Sequence, residues 1–355
     1  MSDAFAIIMA GGSGTRFWPL SRRDRPKQLL PLGDGDEALL AAAVRRTSEL
    51  IAPERIFVVT NERLAGPIAK MLPEVPRQNV LAEPVGRNTA PCVAWAAAHV
   101  RRIQREGVIA VLPADHHVTD EAAFVETLSR ALDAAAHGDM VTVGIQPSRP
   151  ETGYGYIEVG EPIGEGVHRA RRFVEKPNRQ RAEQFLAAGN FLWNSGMFFF
   201  RADVILDAIA AHLPGLGDAV RSFDEAAARG DEASVVAEVY PTLPSVSIDH
   251  GVMEKAERVS VVPASFGWSD LGSWTTAWEL TARDASDNTL PEGAIAVDTR
   301  GCYVRAPAGK VVALVGVRDL VVVDTEDALL IVPRDRAQDV RAVVDALSKR
   351  GDERL

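Results

Sequence analysis

AGGSGTRFWPLSRRDRPKQ, residues 10–28, decides the reading of this chain. It follows a short apolar run, Phe5-Ala6-Ile7-Ile8-Met9, of the kind that forms a buried strand. Gly11, Gly12 and Gly14 then fall within four residues. Such spacing allows a tight turn and lets main-chain N–H groups approach a ligand closely. Arg16 and Lys27 bracket the segment, with Arg22, Arg23 and Arg25 between them. A strand, a glycine-rich loop and local cations suit a polyphosphate. The blander reading is a sharp surface turn with scattered basic residues. Two familiar phosphate loops are excluded. A Walker loop needs Gly-Lys-Ser/Thr where this one has Gly14-Thr15-Arg16, and a dinucleotide fingerprint starting at Gly12 needs glycine where Phe17 stands.

Outward from the loop, buried strands and helices alternate. Strands are expected over 55–60, 79–82, 108–112 and 140–144, and helices over 38–51, 89–105 and 120–137. That alternation predicts an α/β fold, a Rossmann-like, mostly parallel sheet with flanking helices. Ligands of such sheets bind beyond the carboxyl ends of the strands, where the glycine loop, Glu83 and Asp115 all fall. From 153 to 273 the pattern is mixed. It holds strands at 154–159 and 171–174, a helix at 178–188, and an apolar run at 191–201 broken by Asn194-Ser195-Gly196. Two or three helices follow over 202–240, and another over 271–282. Asp, Asn, Pro and Gly cluster near 284–293, which places a boundary between residues 1–285 and 286–355. Beyond it come short Val-rich strands and a terminal helix over 335–350.

The 355 residues are 46% hydrophobic and 25% charged, ordinary for a globular protein with a sizeable core. A net charge of -10 argues against a nucleic-acid partner. The two cysteines, Cys92 and Cys302, read as buried reduced thiols. The N-terminus lacks the basic start of a signal peptide, and no run is long enough to cross a membrane, so the cytoplasm is the expected compartment.

Gly11-Gly12-x-Gly14-Thr15-Arg16, then Pro19-Leu20, then Pro26-Lys27-Gln28 resembles the signature of sugar-1-phosphate nucleotidyltransferases. The Pro-Lys-Gln ending and later motifs are most similar to the mannose-1-phosphate guanylyltransferases of that family, over residues 1 to about 330. The resemblance implies transfer of GMP from GTP to mannose 1-phosphate with release of pyrophosphate, and Mg²⁺ as cofactor. It also implies a left-handed β-helix or β-roll in the terminal segment, and a homodimer. The sequence ends just after the terminal helix, which implies a chain without the isomerase domain of longer relatives. The rival expectations are the same chemistry on another hexose 1-phosphate or nucleoside triphosphate, and a non-catalytic subunit that binds nucleotide sugars.

In such a reaction the attacking phosphate is already anionic, so the demand is for cations, N–H donors and a metal. Arg16 and Lys27, at motif positions, are the candidate catalytic cations, with Ala10, Gly11, Gly12, Gly14 and Thr15 lining the nucleotide. Asp115, at the tip of a buried strand, suits Mg²⁺, and the resemblance implies a metal ligand there. Asp270 in Trp268-Ser269-Asp270-Leu271-Gly272 is the second candidate ligand, or else a helix N-cap. Adjacent His116 and His117 point apart and are left out. Glu83-Pro84-x-Gly86-Arg87-Asn88-Thr89 is similar to the family's guanine segment, with Glu83, Pro84, Asn88 and Thr89 at the base. Alternatively it is a strand, a turn and a capped helix. Phe173-Val174-Glu175-Lys176-Pro177 matches the sugar-phosphate motif, with Glu175 for hydroxyls and Lys176 for the phosphate. Gly153 and Asn194 complete the expected sugar site. Residues 247–255 also resemble a family segment, but His250 departs from the usual Tyr. Asp249 and Lys255 are expected to support the site rather than touch substrate.

Overall fold

The computed structural model describes residues 3–12, 14–33 and 35–355; Ser13 of the glycine motif lies outside them. The chain folds as two compact units. The first takes in Met1–Gly11, Ala43–Ala114 and Val118–Trp268, and the second Gly12–Ala42, Asp115–His117 and Ser269–Leu355.

The first unit is built on a nine-stranded sheet. Its strands are β1 (Phe5–Met9), β2 (Ile56–Asn61), β3 (Val80–Glu83), β4 (Val108–Pro113), β6 (Met140–Ile145), β7 (Tyr156–Gly164), β8 (Val167–Val174), β9 (Phe191–Arg201) and β10 (Val259–Ala264). Two-residue strands β5 (His117–Val118) and β11 (Trp268–Ser269) are not part of it. The order is β3-β2-β1-β4-β9-β6-β10-β8-β7. Seven strands run one way and only β8 and β9 run against them. The sheet is therefore mostly parallel, as the continuous apolar runs require.

The helix Thr89–Ile103 shows why the sheet is so fully covered. Residues 90–98 are all buried, and six of the nine are alanine or proline-sized, so the helix lies close to its neighbours. Its Trp95 and Val100 share one core with Phe5, Ile109, Phe198 and Phe200 of the sheet and with Phe223 and Tyr240. The helices Ala202–His212, Pro214–Arg229 and Glu232–Val239 resolve the expected two or three into three.

Asn194-Ser195-Gly196 does not break β9. The strand runs through, with a register irregularity against β6 between Thr142 and Gly144. Ser195 donates its hydroxyl to the Val143 carbonyl, and Asn194 Oδ1 accepts from Thr142 Oγ1 and Gly196 N. Side chains thus satisfy main-chain groups that the bulge leaves unpaired.

In the second unit, β12 (Ile295–Val297), β13 (Tyr303–Arg305), β14 (Ala313–Val315), β15 (Leu320–Asp324) and β16 (Leu329–Pro333) form two small sheets. Ile295 pairs in parallel with Ala313, Arg300 with Arg318, and Tyr303 with Val321. Each partner lies 18 residues further on. A parallel offset repeated in this way means that the chain coils on itself, the geometry of a β-helix. Cys302, Val304 and Leu314 fill the coil, while Ile295, Val297 and Val315 face outward. A second core joins Tyr303, Val321, Val323, Leu330 and Val340 to Phe17, Trp18, Leu30, Leu32 and Trp274. The residues flanking the glycine loop therefore pack on the C-terminal strands.

Candidate active site

The chain leaves β1 at Met9 and enters the glycine loop. Ala10 is anchored by its N–H to the Val59 carbonyl (2.8 Å) and by its carbonyl to Thr60 Oγ1 (3.1 Å). Gly14 has φ +58°, and a Cβ there would sit 2.7 Å from the main-chain nitrogen of Lys27. Only glycine meets both demands. The space it leaves lets Lys27 come in beneath the loop, and Gln28 Nε2 donates to the Gly12 carbonyl at 3.1 Å.

Lys27 is a buried cation, its side chain 7% exposed. Its ammonium donates to Asp115 Oδ2 at 2.8 Å and to the Asp270 carbonyl at 2.5 Å. Burial disfavours the charge on Asp115. The Lys27 ammonium and the neighbouring His116 outweigh that and hold the carboxyl below its ordinary value. Gly14, Thr15, Arg16, Phe17, Lys27, Asp115, Asp270 and Gly272 line one open cleft of about 540 Å³. Arg16 reaches the Gly272 carbonyl only at 3.5 Å. The helix after Asp270 begins at Trp274 with Ser273 as its cap, so Asp270 is not a helix N-cap. Arg16, Lys27, Asp115 and Asp270 thus meet in one cleft. Arg341 and Asp345 of the terminal helix (Val340–Lys349) line it as well, and nothing in the sequence reading anticipated them.

In the first unit, Glu83 ends β3 as a buried carboxylate. Tyr240 donates its hydroxyl to Oε1 at 2.5 Å, and Oε2 lies where a Cβ on Gly11 would come within 3.3 Å. Burial raises the Glu83 carboxyl above its ordinary value, and the Tyr240 hydrogen bond works against that rise. Pro84 follows, half-buried. Asn88, at φ +67°, caps the helix Thr89–Ile103 with its side-chain oxygen on Thr89 N. The Thr89 hydroxyl accepts from Ile248 N at 2.8 Å, and Ala90 N donates to the Val246 carbonyl at 3.0 Å. These bonds tie the motif around Asn88 to the segment at 247–255.

That segment opens with a π-helical turn, Asp249–Met253. Asn194 Nδ2 donates to Asp249 Oδ1 at 2.8 Å. Burial, and then the charge of Glu175, push the Asp249 carboxyl up to about 6. Glu175 N donates to Glu254 Oε1, whose other oxygen lies 2.8 Å from His250 Nδ1. Lys176 Nζ donates to Glu175 Oε1 at 2.5 Å. At Gly155 a Cβ would lie 2.6 Å from Glu175 Oε2 and 3.2 Å from Asn194 Cβ. Gly153 itself is exposed, in a turn capped by Glu151.

Residues 5–287 match the nucleotidyl transferase family, and residues 292–347 the MannoseP isomerase/GMP-like beta-helix domain. The chain belongs to the nucleotidyl transferase family. The alginate biosynthesis protein AlgA of Pseudomonas aeruginosa is 41% identical, aligned over 97% of this chain and 72% of its own length. A mannose-1-phosphate guanylyltransferase of Escherichia coli is 39% identical, over 97% of this chain and 74% of its own. A crystal structure from Thermus thermophilus, described as a mannose-1-phosphate geranyltransferase, superposes with a TM-score of 0.87 at 40% identity. The match covers 98% of this chain and 99% of that one. In this nucleotidyl transferase the signature from Gly12 onward lies in the second unit, and Gly11 and the segments around Glu83 and Glu175 lie in the first. Tyr240, Gly155 and Arg341 stand beside the expected residues, and of these only Gly155 carries a signal in the sequence, as the second glycine of Gly153-Tyr154-Gly155.

Proposed function

We propose that this chain transfers GMP from GTP to mannose 1-phosphate, giving GDP-mannose and pyrophosphate. The observation that carries the proposal is Lys27, a buried ammonium fixed between Asp115 and the Asp270 carbonyl in the cleft of Gly14 and Arg16. A phosphate oxygen of the sugar phosphate attacks the α-phosphorus, and the bond from that phosphorus to the oxygen bridging the β-phosphate breaks. No general base is required, because the nucleophile is already anionic. Arg16 grips triphosphate oxygens with its planar fork, and Lys27 holds a point charge against the leaving oxygens. Glu83, Pro84, Asn88 and Thr89, with the adjacent main chain, serve the guanine. Glu175 takes the sugar hydroxyls, Lys176 the sugar phosphate, and Asn194 is held by Asp249.

The cofactor proposed is Mg²⁺. Asp115 and Asp270 offer hard carboxylate oxygens at one cleft, the donor set this ion takes together with phosphates and water. When bound, it would neutralise charge on the phosphates in the transition state. We further infer a cytoplasmic homodimer. Outward-facing Ile295, Val297 and Val315 on β12 and β14 support an interface there. No helix among the described residues is long and apolar enough to cross a membrane.

Pyrophosphate release is the test, measured across the common nucleoside triphosphates and hexose 1-phosphates with and without Mg²⁺. Metal-dependent release specific to GTP and mannose 1-phosphate is expected. A strong preference for UTP or dTTP would remove the guanylyl assignment, and no release with any pair would favour a non-catalytic subunit.

A further inference from the structure

The cleft that holds Arg16 and Lys27 has a wall that belongs to the β-helix side of the second unit. Arg341 and Asp345 stand one turn apart on the terminal helix and both line the cleft. The other face of this helix is fixed: Val340, Val344 and Leu347 pack in the core that contains Phe17, Trp18 and Trp274. The residues after the helix bind the same loop. Trp18 Nε1 donates to the Arg354 carbonyl at 2.8 Å, and Arg23 N to the Leu355 carbonyl at 2.9 Å. Arg22 reaches Asp327 at 2.7 Å. The helix is therefore carried by the phosphate loop itself.

The charges in the cleft leave a task open. Lys27 is already paired with Asp115, which offsets much of its pull on a polyanion. Arg16 is a second cation. Arg341 is exposed, and its side chain makes no ion pair or hydrogen bond among the described residues, including with the Asp345 carboxylate. An arginine held at a cleft mouth by its helix, with its fork uncommitted, is suited to bidentate contact with phosphate oxygens.

We propose that Arg341 binds the β- and γ-phosphates of the nucleotide, and so the pyrophosphate that leaves, making the terminal helix part of the catalytic site. Asp345 opposes it, limiting how firmly pyrophosphate is retained. This rests on the nucleotidyltransfer reading of the cleft. Arg341 acts on phosphates shared by every nucleoside triphosphate, so it adds nothing to the choice of base or sugar.

The test is titration of the purified chain with inorganic pyrophosphate and Mg²⁺, alongside steady-state kinetics, for the wild type, Arg341→Ala, Arg341→Lys and Asp345→Asn. Arg341→Ala is expected to weaken pyrophosphate binding about tenfold, the loss of one charge-assisted contact. It should raise KM for GTP and leave KM for mannose 1-phosphate unchanged. Arg341→Lys should recover part of the loss, and Asp345→Asn should move affinity the other way. Melting temperatures should stay at the wild-type value, because both side chains are exposed. Pyrophosphate affinity indistinguishable from wild type in Arg341→Ala would overturn the proposal, as would equal losses in Arg341→Ala and Asp345→Asn. If the wild type releases no pyrophosphate with any substrate pair, it is the nucleotidyltransfer reading that fails. The titration still decides whether Arg341 binds the anion.

Discussion

Two lysines of this chain are assigned to phosphates, and the fold treats them in opposite ways. Lys27 is 7% exposed, bonded to Asp115 and to the Asp270 carbonyl, under a loop that needs glycine at position 14 to admit it. Lys176 is 65% exposed, sits at φ +45°, and has the adjacent Glu175 as its ion-pair partner. The first cation is ordered by folding, so its geometry is set before substrate arrives. The second keeps its rotamer freedom and loses it only on binding. A fixed cation suits charge that develops on a leaving group. A mobile one suits capture of a small phosphate from solution.

The largest effect should come from the fixed side. Lys27→Ala is expected to lower kcat about 10³-fold, the scale of losing one preorganised charge donor, with little change in KM for mannose 1-phosphate. Gly14→Ala should do comparable damage with Lys27 intact, because its Cβ displaces Lys27 and its φ is unfavourable. Normal turnover in either variant would break the contrast between the two lysines.

Next in size is a pH effect on the sugar side. The Asp249 carboxyl is raised from 3.8 to about 6, so the fold favours its protonated form. Its stabilising contribution is full below pH 3.8 and is lost as pH rises through about 6. The change is up to about 3 kcal/mol over roughly two pKa units. Chemical denaturation of wild type and Asp249→Asn across that pH window should show the loss in the wild type alone. Parallel curves would mean that Asp249 stays ionised throughout. The smallest effect should be that of Lys176→Ala, about a tenfold rise in KM for mannose 1-phosphate with kcat nearly unchanged. A kcat loss as large as that of Lys27→Ala would erase the distinction between the lysines.

The gathering of the cleft around Lys27 was legible because its residues are few in type and fixed in spacing. Gly14, Arg16 and Lys27 lie within one short stretch, Asp115 follows an apolar strand, and Asp270 stands in the segment Trp268-Ser269-Asp270-Leu271-Gly272. The sheet was legible from its continuous apolar runs. What escaped depends on distant chain meeting in space. Tyr240 reaches Glu83 across 157 residues of sequence, and no local pattern announces that pairing. Arg341 reads as one more charge on an amphipathic helix until packing turns its face toward the loop. Asn194-Ser195-Gly196 reads as a strand break because sequence does not reveal that its side chains repair the bulge.

The most direct measurement follows the phosphorus atoms. The purified chain is incubated with mannose 1-phosphate, Mg²⁺ and GTP labelled either at the α-phosphate or at the γ-phosphate. The account predicts that all of the transferred α-label appears in GDP-mannose and all of the released γ-label in pyrophosphate. Release of the γ-label as orthophosphate, or of the α-label as free GMP, would contradict it.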